Sequence, residues 1–329
     1  DRASLPSGHR GPERNRSSRV MSDSVSPCVD AASGKTIVDM VWSDKPPHGR
    51  LSLTGAKKSV PITVVGTDSD TPPAWAKATL VDPLPYGYAT MHFEVDRASL
   101  PFGHALWDSE KKVRVLDQLT QFAARVKTEP GVNNAWVLKT LLTPPGRGVA
   151  YLQARPQLLT AKFDVVLLVE CESPERARAL RRGEPWRAVL EAVSKEATRS
   201  LSVSGSNARC MADVDHSRQG VFLFNYFFAD DVATNLAIWE VTAGWFQAET
   251  GLDNSTLILP DQDSRAGSGA QANSSMTTQH SVINHCRWDR LSNVLPALIF
   301  KRSLASYVLD NFAANQCAAN PILYQLHLA

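Results

Sequence analysis

Residues 87–95 (GYATMHFEV) alternate strictly, with Met91, Phe93 and Val95 on one side and Thr90, His92 and Glu94 on the other, the period of a strand with one buried face. Over 110–127 the period lengthens. Val113, Leu116, Leu119, Ala123 and Val126 recur at helical spacing, and Pro130-Gly131 ends the run. Strand character returns over 134–142 and stops at Pro144-Pro145-Gly146. In 163–170 (FDVVLLVE), Phe163, Val165, Leu167 and Val169 face a core, with Asp164 and Glu170 on the other side. Ser173-Pro174-Glu175 then supplies an N-cap, a proline at the first helical position and an acid in the first turn. That helix is interrupted by Gly183 and Pro185, resumes over 186–199, and is followed by a short strand at 201–204. The order is βαββαβ.

The second half repeats it. Residues 221–229 (VFLFNYFFA) read as a strand, Asp230 as the cap of a helix over 231–250, and Gly251 as its stop. A strand at 255–259, a loop rich in Ser, Gly, Ala and Asn at 261–279, and a strand at 280–288 follow. The chain ends with a helical region at 291–316, interrupted near Pro296, and a strand at 322–327. Each such module builds a four-stranded antiparallel sheet with its helices on one face. Joining the two free faces within one chain predicts an α+β barrel of two tandem ferredoxin-like modules, 81–206 and 216–329. A central cavity is expected, lined by strand residues that point away from the helices. Residues 1–80 read as a largely disordered extension: 1–20 carries five arginines without periodic apolar positions, and 36–42, 51–54 and 60–65 have the makings of short strands. The hexapeptide at 1–6 (DRASLP) recurs at 96–101, and we have no physical account of it.

Composition narrows the partners. Of 329 residues 43% are hydrophobic, enough for one large or two small cores, and 35 Lys and Arg against 33 Asp and Glu give a net charge of +2. No field recruits nucleic acid or an anionic membrane. The longest apolar runs, such as 165–169 and 295–300, fall far short of the ~20 residues that cross a bilayer. Five scattered cysteines (Cys28, Cys171, Cys210, Cys286, Cys317) form no Cys-x-x-Cys pair, which fits a reducing, cytoplasmic compartment and a monomer or homodimer without structural zinc. Ser33-Gly-Lys-Thr36 is no phosphate loop, because Val29 stands where its first glycine belongs. Asp213-x-Asp215-His216-x-Arg218 is no calcium loop, because Arg218 replaces the turn glycine.

The element order over about 86–329 resembles the dimeric α+β barrel superfamily in a tandem fused form. The stretch GVFLFNYFFADD (220–231), with TAGWF (242–246), is similar to a bacterial family whose activity is not assigned. Members of the superfamily include antibiotic-biosynthesis-type monooxygenases, muconolactone isomerases, haem proteins of the chlorite dismutase type and aldoxime dehydratases. The resemblance implies a small-molecule ligand and, if the chain is an enzyme, a cofactor-independent oxygenase, isomerase or lyase acting on a small aromatic or acidic compound. It implies two alternatives as well: a non-catalytic binding or assembly scaffold, and a haem-binding barrel.

Strand parity nominates Thr90, His92, Glu94, Glu170, His285 and Arg287 for the cavity. Tyr226 joins them, because setting Asp96 against Asp230 places it at the position of His92. In the catalytic reading His92 or His285 exchanges a proton and Arg287 holds an anion, with Glu94 and Tyr226 alongside. In the structural reading Glu94 or Glu170 pairs with Arg287, and the histidines satisfy each other or the backbone. No cofactor is expected. A single metal ion would have only His92-x-Glu94 as two ligands on one strand face, and haem would use His285 or His104. Trp239, Trp245 and Phe246 read as core.

Overall fold

The computed structural model describes residues 60–66, 75–96, 107–144, 148–156, 158, 160–265 and 280–328. Strands β1 (Gly87–Glu94), β2 (Val132–Leu142), β3 (Val165–Cys171), β4 (Arg199–Cys210), β5 (Val221–Ala229), β6 (Ser255–Pro260), β7 (Val282–Trp288) and β8 (Cys317–Leu326) close into one barrel in the order β1-β3-β2-β8-β5-β7-β6-β4. Every neighbouring pair is antiparallel. Closure leaves no free edge to attract another chain. It also puts β1 and β5 four places apart, on opposite sides of the barrel.

Alternation along each strand separates an outer from an inner layer. Outward Met91, Phe93, Val165 and Leu167 pack on Leu116, Leu119 and Phe122 of α1 (Glu110–Val126). Beyond α2 (Val149–Gln153) and α3 (Pro174–Arg182), Trp186 of α4 (Glu184–Ser194) completes that layer. Outward Leu223, Phe227, Cys286 and Leu323 pack on Ile238, Trp239 and Trp245 of α5 (Val232–Thr250). The rest of the second roof is α6 (Leu291–Phe300), a π-helical turn (Leu304–Leu309) and α7 (Asp310–Ala314). Among the described residues no helix is long and apolar enough to cross a membrane.

Several expectations are corrected by packing. On α1, Val113 is exposed, and Lys112 is the buried residue, its ammonium 3.0 Å from Asp108 and 3.6 Å from Asp164. Burial pushes the Asp164 carboxyl up to about 6, against the pull of Lys112 and the amides of Val95 and Asp96. Phe163 precedes the β3 ladder and turns into the barrel instead of toward the helices. Asp231, not Asp230, caps α5, accepting from the amides of Ala233 and Thr234, while Asp230 binds Arg155 and Tyr151. Strand β4 runs well past 204 because its second half pairs with β6, and β8 begins at Cys317 because β5 pairs with it from there.

Part of the extension belongs to the fold. Ala78 donates its amide to the Glu240 carbonyl at 2.9 Å, and Val81 bridges to Cys210. Gly244 of α5 is required at this contact, since a Cβ there would lie 1.9 Å from the Ala76 carbonyl oxygen. The run 60–65 is not paired in a sheet. Instead the amides of Thr63 and Val65 donate to the side-chain oxygens of Asn315 and Asn311, both at 2.9 Å, and the two Asn amide groups donate back to the carbonyls of Thr63 (2.7 Å) and Val65 (3.0 Å). Side chains one helical turn apart thereby stand in for a neighbouring strand. The runs 36–42 and 51–54, and the hexapeptide copies apart from Asp96, lie outside the described residues.

Replacing Asn311 with Ala leaves the Val65 amide and carbonyl without their partner. We expect a loss of about 2 kcal/mol in denaturant unfolding, with the Thr63 and Val65 amides losing hydrogen-exchange protection while those of β1 keep theirs.

Candidate functional site

The inward faces of the strands carry rings. Phe222, Phe224 and Tyr226 of β5 meet Tyr324 of β8, Phe163 and His92 of β1 in one buried cluster. The Tyr226 hydroxyl lies 2.9 Å from His92 Nδ1, joining opposite strands through the barrel centre. Tyr324 donates to the Phe163 carbonyl at 2.7 Å, so the 3.2 Å contact between the two tyrosines is supplied by the Tyr226 proton. Tyr226 then accepts from His92 Nδ1–H, and His92 Nε2, 2.7 Å from Thr90 Oγ1, accepts from the threonine. Each bond in this chain has one proton and every member is neutral. Burial, reinforced by His280, pushes His92 down to about 3, and burial pushes Tyr226 up.

His285 sits farther along the column of rings, stacked on Phe224 with centroids 4.3 Å apart. Its Nδ1–H donates to the Leu223 carbonyl at 3.0 Å, and its Nε2 lies 2.8 Å from His216 Nε2. His216 is stacked on Trp136 at 4.0 Å. Both imidazoles are held below their ordinary range by burial, His285 to about 4. With Nδ1 bonded and Nε2 against His216, His285 has no ring nitrogen open to a haem iron, and His104 lies outside the described residues. Among the described residues no group of three or more His, Cys, Asp or Glu is placed to hold a metal ion.

The charged candidates take partners other than those expected. Glu94 pairs with Arg199, its register partner on β4, and Arg199 also donates to the Thr160 carbonyl at 3.0 Å. Arg287 bonds Asp289 (2.7 Å) and the Gln219 carbonyl (2.8 Å), with its Nε buried and unpartnered. Glu170 accepts from Asn133 at 3.1 Å. Neither carboxylate reaches Arg287, because residues adjacent across a ladder, or two apart on one strand, meet before residues on distant strands do. The histidines do not pair as His92 with His285 either. The structure brings together His92, Tyr226 and Thr90, and separately His285 and His216, with Glu94 and Arg287 in neither group.

Two features were not foreseen. His280 is 2% exposed, with neither ring nitrogen hydrogen-bonded, walled by Tyr226 and Phe228 at 5.2 and 4.7 Å. The second is a cavity of about 240 Å³ on the other side of the sheet, between β5, β7 and β8 and the roof of α5, α6, the π-helical turn and α7. Leu223, Phe227, Trp239, Leu295, Val308 and Leu323 dominate its wall. Its polar floor is Asn225, Asn284, opposite it across the β5–β7 ladder, and Ser255, which donates to Asn284 Oδ1 at 2.6 Å. Asn225 Oδ1 is buried without a partner. Rings from opposite strands pack against one another inside the barrel, whereas this cavity lies in the helix layer.

No protein-family model matches the chain, and no curated protein does. Among solved structures it is similar to an anthrone oxidase-like protein, at 11% identity and a TM-score of 0.49, covering 74% of this chain and 92% of that one. It is similar also to a mutant chlorite dismutase from Candidatus Nitrospira defluvii in complex with cyanide, at 12% identity and a TM-score of 0.37, covering 74% and 92%.

Four buried histidines make the fold acid-sensitive. Their folded pKa values lie below the ordinary 6.5, so the unfolded chain alone takes up protons as pH falls from about 6.5 toward 3. Stability is intact above 6.5 and lost below it, by up to about 5 kcal/mol for His92 alone. Unfolding free energy measured in urea should drop steadily from pH 7 to 5, and a flat profile would contradict the assignment. His280→Leu, which removes two unpaired nitrogens, should raise stability by about 1 kcal/mol at pH 7 and reduce the slope.

Proposed function

We propose that this chain is an α+β barrel of two fused ferredoxin-like halves that binds a small apolar molecule, of aromatic size, in the cavity of its second half. The strand order supports the fused reading. Starting from β4 it runs β4-β1-β3-β2 and then β8-β5-β7-β6, the same permutation of four strands twice. The cavity carries the functional reading. A dry cavity of about 150 Å³ holds one benzene ring, so 240 Å³ has room for two fused rings.

Among the described residues no Asp, Glu, His, Lys, Arg or Tyr lines the wall, which favours an aromatic over an acidic ligand. Isomerases and lyases need a side chain that moves a proton. The lining offers only the Cys286 thiol, which burial pushes up. Of the reaction classes considered, cofactor-independent oxygenation is the one that asks least of these residues, and simple binding asks nothing more. In this reading His92, Tyr226 and His285 are the polar frame of the barrel interior, and Glu94 and Arg287 are tied into surface-side pairs.

Trp239 lines the cavity and reports on it. Naphthalene should quench tryptophan fluorescence saturably, and Ala243→Phe, which fills the space, should weaken binding at least tenfold while changing stability by no more than about 3 kcal/mol. Unchanged affinity in that variant would move the site elsewhere. The haem alternative predicts a Soret band after haem supplementation; the apolar-ligand reading predicts a featureless visible spectrum.

A further inference from the structure

The cavity floor is not uniformly apolar, and its one unpaired acceptor indicates what the ligand must carry. Asn225 lies midway along β5, on the outward face between Leu223 and Phe227. Its neighbours across the two ladders are Asn284 on β7 and Pro321 on β8. Pro321 has no amide hydrogen to offer. The Ser255 hydroxyl spends its proton on Asn284 Oδ1 at 2.6 Å, and the Thr242 hydroxyl on the roof donates to its own helix at Ile238, 3.0 Å away. Asn225 Oδ1 is thus left buried, without a partner, in a wall that is mostly apolar. A carbonyl oxygen taken out of water without a hydrogen bond is a standing penalty, which a leucine at this strand position would avoid.

We propose that Asn225 is the specificity-determining residue of this cavity, selecting apolar ligands that carry a hydrogen-bond donor, a hydroxyl or an N–H, at one end. The inference rests on the cavity being the binding site. A ligand bearing such a group satisfies the acceptor; one of the same shape without it leaves the penalty in place. Discrimination therefore comes from the unpaired oxygen as much as from the new bond. An acceptor-only substituent of similar size gains nothing, since it sets one lone pair against another.

Equilibrium dialysis of the full chain against naphthalene, 2-naphthol and 2-methoxynaphthalene tests this. Wild type should bind 2-naphthol about tenfold more tightly than either of the others. In Asn225→Leu that preference should vanish, with naphthalene bound as tightly as before or more so, and the thermal midpoint should not fall. Equal binding of naphthalene and 2-naphthol by wild type overturns the role of Asn225 while leaving the cavity reading standing. A preference for 2-methoxynaphthalene overturns it too, because the floor would then be a donor. Failure of all three compounds to bind overturns both readings. The wild-type arm decides the question even if the variant does not fold.

Discussion

The hydrogen bond between His92 and Tyr226 is the constraint on which the barrel depends. It joins β1 to β5 across the full width of the interior. A bond of this kind has to be made in the dry. Its members are 0% exposed and neutral, and rings from β5, β8 and the segment before β3 surround them. Loss of any one partner would strand the next polar atom along the chain from Thr90 to the Phe163 carbonyl. This part of the interior is accordingly specified as one unit.

The cavity lies in the helix layer, over β5, β7 and β8. In the first half α1 and α4 lay Phe122 and Trp186 together over the sheet, with ring centroids 5.9 Å apart. The second roof is less regular. Pro296 lies inside α6 and cannot donate to the carbonyl one turn back, the helix breaks at Lys301, and the chain resumes as a π-helical turn. Those irregular elements supply Leu295, Leu298, Leu304 and Val308 to the cavity wall. The same sheet geometry has thus been roofed twice, once tightly and once loosely.

Much of this was legible along the chain because strand parity is a period of two that leaves little choice once one face is buried. The inward placement of Thr90, His92, Glu94, Glu170, His285 and Arg287 follows from it. Tyr226 follows from matching the two halves. What parity cannot supply is partner choice. Glu94 found Arg199 through a neighbour that emerges only when the ladders are in register, whereas Arg287 took Asp289, two positions along its own chain. The length of β4 was hidden for the same reason, as Gly205-Ser206-Asn207 has the composition of a turn and becomes strand only because β6 lies beside it. Lys112 was unreadable as a core residue, its burial depending on two aspartates, one of them 52 positions away in the chain. The cavity was not legible at all, being a mismatch between two layers rather than a property of any one segment.

The asparagine pair, Asn311 on α7 and Asn315 just after it, has a consequence of another kind. Asn311 and Asn315 read the main chain of 63 and 65, not its side chains. Such a clasp is indifferent to sequence. The side chains of Thr63 and Val65 are therefore free to change over evolutionary time without loosening the clasp, but a slip of two residues toward Pro61 would lose a bond, because proline has no amide hydrogen. Ile62, 3% exposed, packs against the second core, with Val64 beside it. Apolar residues and a proline distinguish the observed setting from its neighbour, while the amides supply a grip that does not read side chains.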